Sequence, residues 1–119
     1  MEIKINDQLT IDQIQDLFHA HFGYLKLEFY ASEHEPGEGT SSQTMLNKAS
    51  TIGQVRTRHN EGEISIHGNQ KVSTLEQAFH DHYGLNVQVF RKSGEVWLQT
   101  TTTDDWTLSE QNKKGEEMA

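Results

Sequence analysis

The spacing of hydrophobic and polar positions changes period several times along the chain. Over Glu2-Ile-Lys-Ile5 apolar residues alternate with polar ones, the pattern of a strand with one buried face. From Ile11 the apolar steps open to three and four residues, and Ile11, Ile14, Leu17, Phe18 and Phe22 make one stripe of an amphipathic helix. Alternation returns with Leu25, Leu27 and Phe29. The same succession recurs further on: Glu63-Ile-Ser-Ile66 alternates, Val72, Leu75, Ala78, Phe79 and Tyr83 form a stripe, and Leu85, Val87 and Val89 alternate.

The recurrence is a duplication at an offset of 61 residues, in which Glu2, Ile3, Ile5, Phe18, His19, His21 and Gly23 return as Glu63, Ile64, Ile66, Phe79, His80, His82 and Gly84. Tyr24 then shifts the register by one, so that Leu25, Leu27 and Phe29 align with Leu85, Val87 and Val89. Each unit, 1–30 and 62–92, reads as strand, helix, strand. Gly23 and Gly84 follow the last striped residue of each helix, where a left-handed cap suits glycine. Thr10, Thr51, Thr74 and Thr107 each stand three residues before Gln or Glu, the capping-box signature of a helix start. The third is ambiguous, because the repeat starts that helix near Val72. The resulting map is strand 2–6, helix 11–22, strand 24–30, loop 31–50, short helix 52–59, strand 62–67, helix 72–83, strands 85–92 and 95–101, and helix 107–114.

Two such units, each with a right-handed crossover, most economically share one antiparallel sheet with both helices on one face. This α+β arrangement, a duplicated βαβ sandwich, resembles the ferredoxin-like superfold. A turn at Lys92-Ser-Gly-Glu95 adds a fifth strand beside the fourth. With strands numbered along the chain, the expected order is 5-4-1-3-2. Residues 1–119 then form one domain: the two repeats, an acidic mobile loop 31–50, a hairpin strand and helix over 95–114, and a flexible tail 115–119. Its core should centre on Ile3, Ile5, Phe18, Ile64, Ile66 and Phe79. The superfold hosts many unrelated activities and implies none by itself.

Composition narrows the partners. Apolar residues are 33 % of the 119, which favours a folded domain with a thin core over disorder. With 18 acidic against 10 basic residues the formal net charge is −8, a sign that repels phosphate backbones and anionic lipid, so neither nucleic acid nor membrane is an expected partner. The chain has no Cys, which excludes thiol catalysis. No stretch approaches the roughly 20 apolar residues of a membrane span, and MEIKIN has no apolar signal-peptide core, so the expected location is cytoplasmic.

Candidate chemistry is sparse. His19 with His21, and His80 with His82, are two apart on a helix and point away from each other, so neither pair clamps an ion. Glu33, His34, Glu35 and Glu38 suggest a cation site, but they read more simply as a solvated acidic loop. Gly37-Glu-Gly39 lacks the helix start and basic residue of a phosphate loop. Asp104 and Asp105 precede Thr107, where acids suit a helix N-terminus. No GxSxG, HExxH or Walker pattern is present. No catalytic residue, metal or cofactor is therefore expected.

The expected function is non-catalytic binding of another protein, or self-association, through a sheet edge and exposed aromatics. The alternative is a small-molecule or metal-dependent enzyme or binder centred on loop 31–50. A two-residue turn at Ser93-Gly94 pairs Lys92 with Glu95, Phe90 with Trp97 and Val89 with Leu98. Val89 and Leu98 then face the core, and Phe90 and Trp97 the opposite, open side with Lys4, Lys26 and Tyr30. That face lacks the basic and glycine companions of RNA-stacking sheets. The helix from Thr107 is expected to fold back over part of it with Trp106 and Leu108. Phe90, Trp97, Tyr30 and Trp106 are the expected binding residues.

Overall fold

The structure, a computed structural model, describes residues 1–31 and 45–119. Its elements are β1 (Glu2–Ile5), α1 (Ile11–His21), β2 (Leu25–Tyr30), α2 (Ile52–Val55), β3 (Gly62–Ser65), α3 (Val72–Tyr83), β4 (Asn86–Ser93), β5 (Val96–Gln99) and α4 (Leu108–Met118). Glu33, His34, Glu35 and Glu38, with Gly37-Glu-Gly39, lie outside the described residues. Reciprocal capping boxes open three helices. The Thr10, Thr51 and Thr107 N–H groups donate to Gln13, Gln54 and Glu110 at 2.8, 2.9 and 3.0 Å. The Thr107 backbone hydrogen bond holds the Glu110 carboxyl below its ordinary pKa. At the ambiguous box, α3 starts at Val72 with Lys71 as N-cap. Gly84 caps α3 at φ 64°. Gly23 takes no such conformation, because α1 closes one residue earlier, where the Phe22 N–H donates to the Phe18 carbonyl at 2.9 Å.

The strands form two antiparallel sheets, β1-β3 and β2-β4-β5, in place of the single five-stranded ferredoxin-like sheet of order 5-4-1-3-2. The β1·β3 and β4·β5 pairings of that order are present. Its β4·β1 and β3·β2 pairings are replaced by β2·β4, so each inner ladder joins an element to its own repeat copy. Ile3 lies directly opposite Ile64, its equivalent at offset 61, and Glu28 opposite Gln88, its equivalent at offset 60. Each inner ladder is therefore centred on two residues that match in the sequence alignment.

Hydrogen bonds outside the strands recur at a matching offset. Ile52 N–H donates to the Leu9 carbonyl and Leu108 N–H to that of Gln70, at 2.7 and 2.8 Å; Gly53 N–H donates to Asp7 and Ser109 N–H to Gly68, at 3.1 and 2.8 Å. The acceptors in each pair are 61 residues apart. The repeating unit thus extends beyond βαβ to the Thr-capped helix that follows, α2 in one unit and α4 in the other.

The two-sheet solution is consistent with the helix side chains, which close the strand edges that a continuous sheet would use. Even-numbered residues of β2 turn their backbone groups to β4, as the Lys92 N–H to Tyr24 carbonyl bond requires, so the Leu25, Leu27 and Phe29 carbonyls face outward. His19 Nδ1 lies 2.8 Å from the Leu25 carbonyl, Gln15 donates to Leu27 at 2.9 Å, and Leu46 N–H donates to Phe29 at 2.8 Å. At the position equivalent to Gln15, Glu76 reaches β4 and accepts from Val89 N–H at 3.0 Å. Buried carbonyl and amide groups that find partners in this way need no neighbouring strand.

One core joins both sheets, and Ile3, Ile5, Phe18, Ile64, Ile66 and Phe79 all belong to it. Leu17, from the α1 stripe, lies outside at 47 % exposure. α4 runs further than the composition of its end suggests: Gly115 is buried against Tyr24 and Arg91, and the Met118 carbonyl accepts from Gly94 N–H at 2.8 Å. Among the described residues no helix is long and apolar enough to cross a membrane.

Candidate functional site

The β4–β5 hairpin determines which aromatics meet. Ser93 pairs with Val96, Lys92 with Trp97, Arg91 with Leu98 and Phe90 with Gln99, so the turn is Gly94-Glu95, one residue later than Ser93-Gly94. Gly94 has φ 60°, and among the described residues no non-glycine has positive φ. A turn centred on Ser93-Gly94 with the hairpin-favoured type I′ geometry would force Ser93 to positive φ, whereas Gly94 at the first central position needs it only of glycine. The pairing shifts by two, which preserves faces. Phe90 and Trp97 still share the outer side, as diagonal neighbours instead of a direct pair, but Phe90, expected to be exposed, is buried there and only Trp97 is partly open.

That side is an aromatic and cationic cluster. Lys26 Nζ lies 5.3 Å from the Phe90 ring centre and 5.2 Å from that of Trp97, and Lys92 Nζ lies 5.1 Å from Trp97, all within cation–π range. His19 meets the indole edge-on at 6.0 Å. Glu28 pairs with Lys26 at 3.6 Å. Between the indole and α1 runs an open groove of about 190 Å³, bordered by Gln15, Asp16, His19, Lys26, Glu28 and Trp97.

The other expected residues lie elsewhere. Tyr30 is on the same face but buried at the far end of β2, beside Asn86; burial, with the nearby Glu28 charge, pushes its hydroxyl up to about 12. Lys4 belongs to the separate β1-β3 ladder. Trp106 and Leu108 do not cover the aromatic pair: Trp106 stacks on Arg91 at 5.7 Å on the opposite face, and Leu108 is fully buried in the core. α4 packs over Arg91 because its Gln111 accepts from that guanidinium at 2.9 Å and Gly115 admits close contact.

Leu98, expected in the core, is 42 % exposed, and Val96 beside it 57 %. Their face is the core face of the sheet, but the core ends at β4, where their cross-strand neighbours are Arg91 and Ser93. That polar pair is the signal in the sequence that β5 overhangs. Thr100 N–H donates to Val89, so the backbone groups of Val96 and Leu98 turn to β4 and those of Trp97 turn outward. Trp97 N–H and C=O have no partner among the described residues.

A second polar cluster carries no motif in the sequence. Arg56, its side chain fully buried, donates from Nε and Nη2 to Asp7 Oδ1 at 3.1 and 2.9 Å and from Nη1 to the Tyr83 carbonyl at 3.1 Å; His59 Nδ1 lies 2.7 Å from Asp7 Oδ2. The Arg56 hydrogen bond, followed by that of His59, holds the Asp7 carboxyl below its ordinary value. A carboxylate–histidine pair can orient a general base. Here one carboxylate oxygen is committed to Arg56, which is in turn bound to the end of α3, so the cluster acts as a clamp on the β1–α1 turn. Among the described residues no three His, Asp or Glu side chains converge as metal ligands. Compared with models of known families, with curated proteins and with solved structures, the chain matches none.

Proposed function

We propose that this chain is a non-catalytic protein-binding domain that docks its partner along the edge of β5. The observation that carries the reading is a contrast between edges. His19, Gln15 and Leu46 cap the outward carbonyls of β2, and Glu76 reaches the β4 edge, whereas among the described residues β5 leaves Trp97 N–H and C=O open between two exposed aliphatic side chains. An open edge of this kind templates the addition of another strand. The usual guards are missing from Val96–Gln99, which contains no Lys and no Pro. The Trp97 indole, held by Lys26 and Lys92, offers an aromatic anchor on one side of that strand, and Val96 with Leu98 an apolar strip on the other.

The test replaces both aliphatics. V96K/L98K changes exposed positions, so its melting temperature should stay close to that of the wild type. Quantitative affinity capture should lose the bound partner. A partner held as tightly by the variant as by the wild type would sink the edge reading.

A further inference from the structure

We infer that the strand added to β5 comes from a second copy of this chain, paired antiparallel about a twofold axis at Trp97. This deepens the edge-binding reading and rests on it. Only Trp97 among Val96, Trp97 and Leu98 turns its N–H and C=O outward, so a twofold placed there gives two reciprocal hydrogen bonds, each Trp97 N–H donating to the other Trp97 carbonyl. The same axis sets Val96 opposite the second copy's Leu98, and Leu98 opposite its Val96. All four exposed aliphatics are thereby covered. Glu95, the only charged side chain over Glu95–Gln99, falls opposite Gln99, so no like charges meet across the ladder. A twofold one residue later, at Leu98, would leave Val96 opposite Thr100, a buried polar residue that cannot cover it. The paired strands would join two three-stranded sheets into one of six strands, with the two indoles adjacent on one face.

Charge supplies an independent signature. Each copy carries −8, so the copies repel at long range, and added salt screens that repulsion. Dimerisation should therefore strengthen with ionic strength, whereas docking of a basic partner protein would weaken.

The experiment is sedimentation velocity of the full chain over a wide concentration range, at low and high salt, on three proteins. The wild type should dimerise, more tightly at high salt. V96K/L98K, which sets like charges opposite each other twice, should weaken the dimer about tenfold or more. V96E/L98K, which sets opposite charges across the same two pairs, should keep the dimer. Equal weakening by the two variants overturns the register. A wild type that stays monomeric at every concentration overturns the second copy as occupant; if V96K/L98K nonetheless loses a different captured protein, the edge-binding reading survives that result, and if it does not, both fall.

Discussion

Phe18 and Phe79 occupy the same place in the two units, neither with any exposed surface, and Phe79 packs edge-on to Phe29 at 6.1 Å. Replacing either by Ala leaves a cavity that the neighbours fill only in part, and should cost about 3 to 5 kcal/mol in urea titrations. The glycines separate more sharply than their matching positions suggest. Gly84→Ala forces a side chain into a left-handed conformation and to within 3.3 Å of Arg58 Cβ, and should destabilise by about 1 kcal/mol or more. Gly23→Ala meets nothing within 4 Å at a conformation open to any residue and should leave the midpoint unchanged. Asp7 links one residue to pH. Its carboxyl is held below the ordinary value by Arg56, so its contribution to stability is complete above the unfolded value of about 3.9 and is lost as pH falls through the lower folded value. Asp7→Asn should therefore be less stable than the wild type at neutral pH, and the gap should close in acid below about pH 4, as read from thermal melts across pH.

At the scale of elements, the helices serve the strands as edge caps as well as packing partners. Glu76 is buried and accepts from Val89 N–H, so Glu76→Ala leaves that amide without its carboxylate and should cost about 1 to 3 kcal/mol, whereas Glu76→Gln keeps an acceptor and should cost less. Gln15, its counterpart in α1, is only half buried, and Gln15→Ala should cost less than Glu76→Ala. An equal loss in both would contradict a cap whose value depends on burial. Both residues sit on the polar side of a well-marked helical stripe, where periodicity says nothing about what a long polar side chain reaches.

At the scale of the whole molecule, the two inner ladders are centred on Ile3–Ile64 and Glu28–Gln88. Both inner ladders cross between the units, so the first unit owns no complete sheet and the second only its hairpin. Fragments 1–60 and 61–119 should each be largely unfolded alone by far-ultraviolet circular dichroism, and should regain signal on mixing. A fragment that melts cooperatively by itself would show that one unit carries its own core, against the single cluster that Ile3, Ile64, Phe18 and Phe79 form together.

Period and punctuation in the sequence were enough to place nearly every element, because alternation, the three-and-four stripe and the Thr boxes are local signals that a few neighbouring residues determine. The offset of 61 between matching residues also pointed to β1 and β3 as neighbours and to the shared core, but not to the register that sets Ile3 opposite Ile64. Strand partners are a different matter. Period two says which face of β2 is buried but not which strand lies beside it, and the choice of β4 over β3 accompanies contacts as distant as Gln15 to Leu27 and Glu76 to Val89. The proposed binding surface divides in the same way. That Phe90 and Trp97 share a face follows from parity and survives a hairpin shift of two. That Leu98 stands in solvent does not follow, since the core stops one strand short of it and α4 is drawn to Arg91 on the other side of the sheet. How far a core extends depends on the summed volume of side chains brought together from both units, a quantity that no local stretch of the chain contains.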